Sequence, residues 1–398
     1  MSPRRVLAVL AASELCAMAP WFSASAVGPA LARVWQLDTR GAAWLTISVQ
    51  LGFVVGALVS AVLTLSDRWS ARRLVSGCAL IAGLATVGVA LASGPTVGLT
   101  LRMLTGAALA GVYPPGMKIA AGWYREGRGL AIGVLVGALT LGSALPHLVR
   151  WAVPAEQWRT VLGVAAVTAV AGGLLVLLVP NDGPFAAPAA AFSWRAAPRI
   201  FANRALSLAN IGYLGHMWEL YAMWTWLVAF VAASEQARGA HGAAPALVTF
   251  AVVGSGALGC WLGGRYADRW GRTLITSAAM TLSGACALAV GLVFARPLAV
   301  MIPLLLVWGV TVVADSAQFS AAVSELAPRE LVGTALTLQT SLGFLLTCLT
   351  IYLLPAVAAR IGWRWSMSVL ALGPAVGVWA MLALRRRPEA AGLAAGRG

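Results

Sequence analysis

The stretch GRYADRWGR, residues 264–272, places one aspartate and three arginines between two long apolar segments. Its tripeptide Asp-Arg-Trp also occurs at residues 67–69, so that Asp67 and Asp268 lie 201 positions apart in a chain of 398 residues. A charged tripeptide that recurs after half the length of the chain indicates an internal duplication.

The segments around the two copies are apolar enough to cross a membrane. The chain is 60% hydrophobic and 10% charged, with a mean hydropathy of +0.84, whereas charged residues make up about a quarter of a soluble domain. Runs of about 20 apolar residues, the length that crosses a hydrocarbon core of about 30 Å, recur along it. We count twelve such runs, at about residues 6–29, 42–65, 73–93, 97–122, 129–152, 159–179, 204–232, 244–264, 274–295, 298–324, 331–357 and 364–384. Because lipid offers no partner to an exposed backbone, each run is predicted to be a helix of an all-α membrane protein.

The placement of the cations predicts the orientation of these helices. The formal net charge is +15; with a cytoplasmic N-terminus, eighteen of the 28 Lys and Arg residues fall in cytoplasmic segments and eight in outer ones. Cytoplasmic loops of membrane proteins carry such an excess of positive charge. We therefore predict cytoplasmic termini and a multi-pass protein of the plasma membrane, the inner membrane in a bacterium, and we expect no nucleic-acid partner.

A second repeated motif supports the duplication. Trp158 in QWRTV and Trp363 in GWRWS open the sixth and twelfth runs and lie 205 positions apart, close to the spacing of the first pair. Parallel repeats of six helices are typical of secondary transporters. We predict four regions: a six-helix bundle at 1–180, a cytoplasmic linker at 181–203, a second six-helix bundle at 204–385 and a cytoplasmic tail at 386–398.

The loop at residues 264–272 resembles a motif of the major facilitator superfamily, G-x-x-x-D-R-x-G-R, and matches it at every fixed position. The earlier copy departs from the motif, with Leu63 and Ser70 in place of its two glycines. The resemblance implies two pseudo-symmetric six-helix bundles that move by alternating access. It also implies that the Asp and Arg of the loop bridge the cytoplasmic ends of neighbouring helices, and Glu325 is a candidate partner for Arg269 or Arg272. The predicted gate residues are Asp67, Arg68, Gly264, Asp268, Arg269, Gly271, Arg272 and Glu325.

Six ionisable side chains lie inside predicted spans, where a charge at a helix centre costs about 2.5–3.5 kcal/mol on insertion scales. They are Glu14 in span one, Arg102 and Lys118 in span four, His216 and Glu219 in span seven, and Asp315 in span ten. By resemblance to the superfamily, these four spans line a central cavity. Helical spacing adds polar and aromatic neighbours on the same faces. The full set of predicted cavity residues is Glu14, Trp21, Arg102, Lys118, Tyr213, His216, Glu219, Trp308, Asp315 and Gln318.

These residue types suggest separate roles in proton and solute binding. The acids Glu14, Glu219 and Asp315 are the predicted proton carriers, and the bases Arg102, Lys118 and His216 are predicted to attract an anionic group. Several alternatives stay open: a structural ion pair between Glu14 and Arg102, a Lys118 side chain that extends to the inner interface, and a core histidine at His216. The spacing of His216 and Glu219 also suggests a proton-exchange pair.

The predicted function is transport of a small organic, anionic solute by proton-coupled alternating access. A proton-coupled multidrug efflux antiporter is the alternative, although Ala138 replaces the proline of the antiporter pattern in span five. A non-transporting receptor with a transporter-like fold is a third possibility. We expect no enzyme activity, cofactor or metal, because no Walker A, HExxH, GxSxG or CxxC pattern occurs. The expected partners are the solute, protons and lipid, and we expect a monomer.

Overall fold

The computed structural model describes residues 1–124, 127–186, 192–240, 242 and 244–398, without the side chain of Arg128. In these residues the secondary structure is helical, with no strand. The twelve long helices are α1 (Pro3–Ala26), α2 (Thr39–Val62), α3 (Ala71–Leu91), α4 (Pro95–Trp123), α5 (Gly129–Ala152), α6 (Ala155–Leu178), α7 (Arg204–Gln236), α8 (Ala244–Trp270), α9 (Arg272–Leu292), α10 (Leu298–Leu326), α11 (Arg329–Ile361) and α12 (Trp363–Arg385).

Eleven of these helices are long and apolar enough to cross a membrane, by length and composition. The exception is α7, which has 33 residues and is therefore about 50 Å long at 1.5 Å per residue. Its length suffices for a span, and it carries His216 and Glu219 within its apolar sequence. Twelve spans with both termini on the cytoplasmic side remain a prediction.

Three of the four helices predicted to line the cavity are broken near their middle. In α1 the break lies at Ala19, directly before Pro20, and in α4 it separates Pro95–Leu109 from Tyr113–Trp123, which contains Pro114 and Pro115. Proline lacks the N–H that an unbroken helix needs. The break in α10 lies at Asp315, where no proline is present. Broken helices present backbone polar groups to the interior of the bundle.

The two halves meet mainly along two helix pairs of different character. In the pair α5 and α8, small residues allow a close approach: a Cβ atom added at Gly133 would lie 2.8 Å from the carbonyl oxygen of Cys260. In the pair α2 and α11, aromatic rings fill the interface, and the ring centroids of Phe53 and Phe344 are 4.5 Å apart.

The predicted linker lies across one end of the bundle, which we call the linker end. The backbone N–H of Ala71 donates to Asp182 over 3.3 Å, and the N–H of Ser193 donates to the hydroxyl of Thr334 over 3.1 Å. The linker therefore contacts both halves. Residues 187–191 of the predicted linker lie outside the described residues.

Candidate functional site

Glu219 lies at the centre of a buried hydrogen-bond network in the second half. Its carboxylate accepts one hydrogen bond of 2.7 Å from the Trp308 indole and another of 2.7 Å from the Ser283 hydroxyl. The network joins α7, α9 and α10, and Glu219 is 2% exposed. Ser283 was not identified from the sequence, because an isolated serine in an apolar helix carries no signal of its long-range partner.

The sequence suggested a pair of His216 with Glu219, but in the structure His216 pairs with Asp315. The His216 Nδ1 atom lies 2.9 Å from Asp315 Oδ1, without the alignment of a hydrogen bond, and both side chains are almost fully buried. Two positions three residues apart on a helix differ in direction by about 60°. That difference turns Glu219 toward Trp308 and turns His216 toward the break in α10.

The His216 ring also lies in an aromatic environment. Its centroid is 6.1 Å from that of Tyr213 and 5.6 Å from that of Phe319. The Nε2 atom of His216 has no hydrogen-bond partner among the described residues. A buried imidazole thus presents one free nitrogen beside the carboxylate of Asp315.

Glu14 is the third buried acid, and it belongs to the first half. It is 3% exposed, and its Oε1 atom has no hydrogen-bond partner within the described part of the chain. Its Oε2 atom lies close to α4, 3.1 Å from the position that a Cβ atom at Gly116 would take. The alternative of an ion pair with Arg102 is not formed in this structure.

Arg102 instead binds three backbone carbonyl groups. Its Nη1 atom donates to Pro20 over 2.6 Å and its Nε atom to Leu45 over 3.1 Å, while Nη2 donates to Trp21. The side chain is 1% exposed and ties α4 to α2 and to the segment that follows the break in α1. The structure therefore gives Arg102 a backbone-binding environment, and the predicted attraction of an anion has no support in its contacts.

The Lys118 side chain extends to the linker end, where its charged group binds Asp67 and not one of the three acids. Its Nζ atom pairs with the carboxylate of Asp67 and donates to the carbonyl of Ser66 over 2.8 Å. Asp67, Arg68 and Lys118 line a shallow surface pocket there. The prediction of a cavity position for Lys118 is therefore corrected: its long side chain extends to the bundle end, as the alternative had it.

Arg272 is the centre of a second cluster at the linker end. It binds both oxygens of Glu325, over 2.7 and 2.6 Å, and its Nη1 atom donates to Gln318 over 2.7 Å. The carboxylate of Asp268 lies 3.5 Å from the same Nη1 atom. Of the two candidate partners for Glu325, Arg272 makes the contact, and Arg269 is exposed at the end of α8.

The predicted position of Gln318 is corrected by its contact in this cluster, and both glycines of the loop motif have a structural role nearby. Gln318 was predicted in the cavity, but it lies on the segment of α10 that follows the break at Asp315, and it binds Arg272. Gly264 packs against α5, where an added Cβ atom would lie 3.0 Å from the carbonyl oxygen of Gly129. Gly271 adopts a φ of +93°, which favours glycine.

Six aromatic rings form a cluster between the halves. Trp21 contacts Phe53, Tyr221 and Phe344, with centroid distances of 5.0, 5.8 and 5.5 Å. The members of this aromatic cluster are Trp21, Phe22, Phe53, Tyr221, Trp224 and Phe344. Its rings and the three acids are at most 6% exposed, so the centre of the molecule is occluded in this structure.

The comparisons with known proteins agree with this architecture. The family model of the Major Facilitator Superfamily matches residues 10–351. The chain belongs to this superfamily. Among curated proteins, the 3-(3-hydroxy-phenyl)propionate transporter of Escherichia coli (strain K12) is 28% identical over 160 residues. That match covers 39% of this chain and 39% of the relative, so the chain spans about two fifths of that relative's length.

Three solved structures show the same fold at low sequence identity. The human organic anion transporter MFSD10 (TETRAN) has a TM-score of 0.71 at 18% identity and covers 96% of this chain and 100% of its own. The proton:xylose symporter XylE has 0.72 at 15%, with coverage of 96% and 94%. An inward-facing, unoccupied bacterial homologue of the human lysosomal transporter Spinster has 0.73 at 15%, with 96% and 97%.

Membership in the superfamily establishes the class of protein. The chain is a multi-pass integral membrane protein of the superfamily's transporter class. The bacterial inner membrane is consistent with the curated relative.

Proposed function

We propose that this protein is a proton-coupled secondary transporter of a small organic solute, which binds between the two halves. One observation carries the proposal: Glu14, Glu219 and Asp315 are buried, and none pairs with Lys or Arg among the described residues. An ionised carboxylate is costly to bury without a cation. A proton or a bound ligand relieves this cost, which makes the acids suitable sites for coupling.

The arrangement around the acids supports a change on proton binding. Asp315 lies at the break of α10, so its contact with His216 is at a point where the helix has no continuous hydrogen bonding to resist bending. A proton on Asp315 removes the charge that faces His216. Movement of the two segments of α10 would then link protonation to the alternating exposure of the centre.

We further propose that the solute is an anion. Protonated acids can donate hydrogen bonds to a carboxylate, whereas ionised acids repel it, so anion and protons bind together. The unpartnered Nε2 atom of His216, next to Asp315, can donate to the anion when it carries a proton. The relative that transports 3-(3-hydroxy-phenyl)propionate is named for such a solute. His216 takes the role that Arg102 and Lys118 were predicted to share.

A second candidate is proton-coupled efflux of organic cations. Three buried acids outnumber the one central histidine, and the aromatic cluster offers ring faces, which attract cations. A cation would compete with protons for the acids, so that the two move in opposite directions. The sign of the pH dependence therefore separates the two candidates: anion affinity rises as the pH falls, and cation affinity falls.

The linker end is proposed to face the cytoplasm, in line with the charge distribution. It holds the Asp67–Lys118 pair and the Arg272 cluster, and we propose that these act as the cytoplasmic gate. The aromatic cluster closes the path from the other end. A monomer is the proposed working unit.

The test uses the full chain in liposomes with an imposed pH gradient. We expect labelled aromatic or aliphatic carboxylates to accumulate in the alkaline compartment. Glu219→Gln should abolish this pH-driven accumulation and leave solute exchange in the absence of a gradient. Glu235→Gln is the matched control, because Glu235 is a buried glutamate of the same helix that pairs with Arg238 outside the centre.

Three results decide between the candidates. pH-driven accumulation that survives Glu219→Gln would contradict the role of this acid. Accumulation that ignores the gradient in the unaltered protein would contradict proton coupling. Expulsion of a labelled organic cation driven by inward proton flow, without carboxylate uptake, would establish the efflux candidate.

A further inference from the structure

Gln50 is a buried amide in α2 with unused hydrogen-bonding groups. It is 0% exposed, and neither its Oε1 nor its Nε2 atom has a hydrogen-bond partner within the described ranges. Buried amide groups in proteins are nearly always bonded, because an unbonded one loses its contacts with water. Gln50 was not among the residues predicted from the sequence, although it is the one glutamine in the apolar run LTISVQLGFVV, residues 45–55.

The packing of α1 against α2 places Gln50 opposite Trp21. The hydroxyls of Ser25 and Thr46 are 2.7 Å apart and fix the register of these two antiparallel helices. One helical turn from this contact, Trp21 on α1 faces Gln50 on α2. The contact of the Trp21 ring with Phe53, which is a further turn along α2, agrees with this register.

Trp21 brings a second unused group to the same place. Its indole Nε1 atom is buried and has no hydrogen-bond partner among the described residues. A carboxamide oxygen and an indole N–H can bond to each other, yet here both are left without a partner. Two facing helices therefore present one acceptor and three N–H donors that no group in the described part of the chain uses.

Gln50 and Trp21 lie between the Arg102 contacts of the first half and aromatic rings of the second half. Arg102 binds the carbonyl groups of Trp21 and Leu45, which fixes the backbones of both helices. The Trp21 ring also packs against Tyr221 and Phe344 of the second half. The unused groups thus lie at the edge of the aromatic cluster, where the halves meet.

We propose that Gln50 and the Trp21 indole form a polar subsite for the hydroxyl group of an aromatic solute. The solute's ring packs in the aromatic cluster, and its hydroxyl donates to Gln50 Oε1 and accepts from the indole or amide N–H groups. A hydroxyl matches this pairing because it is both donor and acceptor. The inference rests on the proposed function only for the claim that this solute is then transported.

The test compares the binding of two probes that differ by one hydroxyl, 3-(3-hydroxyphenyl)propionate and 3-phenylpropionate. Binding to the full chain is measured in detergent by calorimetry at several pH values. We expect the unaltered protein to prefer the hydroxylated probe roughly tenfold, the value of about one good hydrogen bond. Gln50→Leu, of similar size, should remove this preference and leave the affinity for 3-phenylpropionate unchanged or higher.

Two further variants guard the result. Trp21→Phe keeps a ring but removes the N–H, and it should lower the same preference even if Gln50→Leu fails to fold. Gln339→Leu is the matched control: Gln339 is also buried with both amide atoms unpartnered, but it lies on α11, and we expect the preference to persist.

Two outcomes would overturn the inference. One is that the unaltered protein binds neither probe, or binds both equally. The other is that the Gln50→Leu and Trp21→Phe variants fold and keep the preference. A failure of the proposed proton coupling has a different signature. In that case the hydroxyl preference is intact, but the affinity of both probes does not change with pH.

Discussion

The two copies of the Asp-Arg-Trp loop occupy equivalent places in the two halves but differ in their contacts. Asp67 of the first copy pairs with Lys118, and the two side chains are 22% and 23% exposed. In the second copy, Arg272 is 7% exposed and binds both oxygens of Glu325, as well as Gln318. The copy that matches the superfamily motif at every fixed position is therefore the one whose arginine is buried and binds several partners.

The second loop is also covered by the C-terminal segment, residues 388–398. The N–H of Ala394 donates to Glu325 over 3.1 Å, and the Thr273 hydroxyl donates to the carbonyl of Gly398 over 3.0 Å. Arg397 donates to the carbonyl of Asp268, and Leu393 is fully buried. The same tripeptide is thus stabilised by one ion pair at the first loop, and by several contacts beneath the C-terminal segment at the second.

The largest effect is expected when the buried network loses its cation. Arg272→Gln leaves Glu325 and Asp268 facing each other without a positive partner. Removing one partner of a buried charge pair costs about 3–5 kcal/mol, and we expect the lower end because Glu325 is 28% exposed. The thermal midpoint of the protein in detergent, followed by intrinsic fluorescence, measures the change.

Lys118→Gln is the control at the first loop. Exposed ion pairs contribute at most about 1 kcal/mol, so its midpoint should lie close to that of the unaltered protein. If Lys118→Gln lowers the thermal midpoint as much as Arg272→Gln does, the Asp67–Lys118 pair contributes as much to stability as the Arg272 network. That result would contradict the difference described between the two loops.

A smaller effect is expected when the C-terminal segment is removed. A chain that ends at Arg387 loses the buried Leu393 side chain and the Ala394 bond to Glu325. Burial of a leucine is worth about 1.5–3 kcal/mol, so we expect a decrease of about 2 kcal/mol. Hydrogen exchange at residues 268–273 should rise, while exchange at residues 64–70 stays the same. Equal increases at both loops would show that the segment stabilises the whole bundle and not the second loop.

The sequence predicted the helices well but not their long-range contacts. Apolar runs fix the helices because length and hydrophobicity decide whether a segment can cross lipid. The bond between Arg272 and Glu325 was within the predicted alternatives, since Arg272 belongs to the loop motif and Glu325 lies at the end of predicted span ten that faces the same side. In contrast, the pairing of His216 with Asp315 depends on the break in α10, and no proline at that position predicts the break.

The remaining differences have similar causes. The carbonyl groups bound by Arg102 become available only where α1 and α2 approach each other, and no residue type in the sequence signals that approach. The charged group of Lys118 lies at the linker end, whereas the neighbouring residue Gly116 on the same segment of α4 lies beside the carboxylate of Glu14 on α1. The sequence does not show that two close positions of α4 have such different surroundings. Gln50 was not predicted, because an uncharged amide in an apolar run carries no sign of whether its hydrogen bonds are satisfied.

The buried acids without a Lys or Arg partner are proposed to exchange protons when the solute binds. The number of protons exchanged is obtained from the binding heat of a carboxylate solute, measured at one pH in buffers of different ionisation enthalpy. We expect net proton uptake by the protein of the order of one proton per solute, reduced by Glu219→Gln and unchanged by Glu235→Gln. Binding heats that do not depend on the buffer, in a protein that binds the solute, would contradict it.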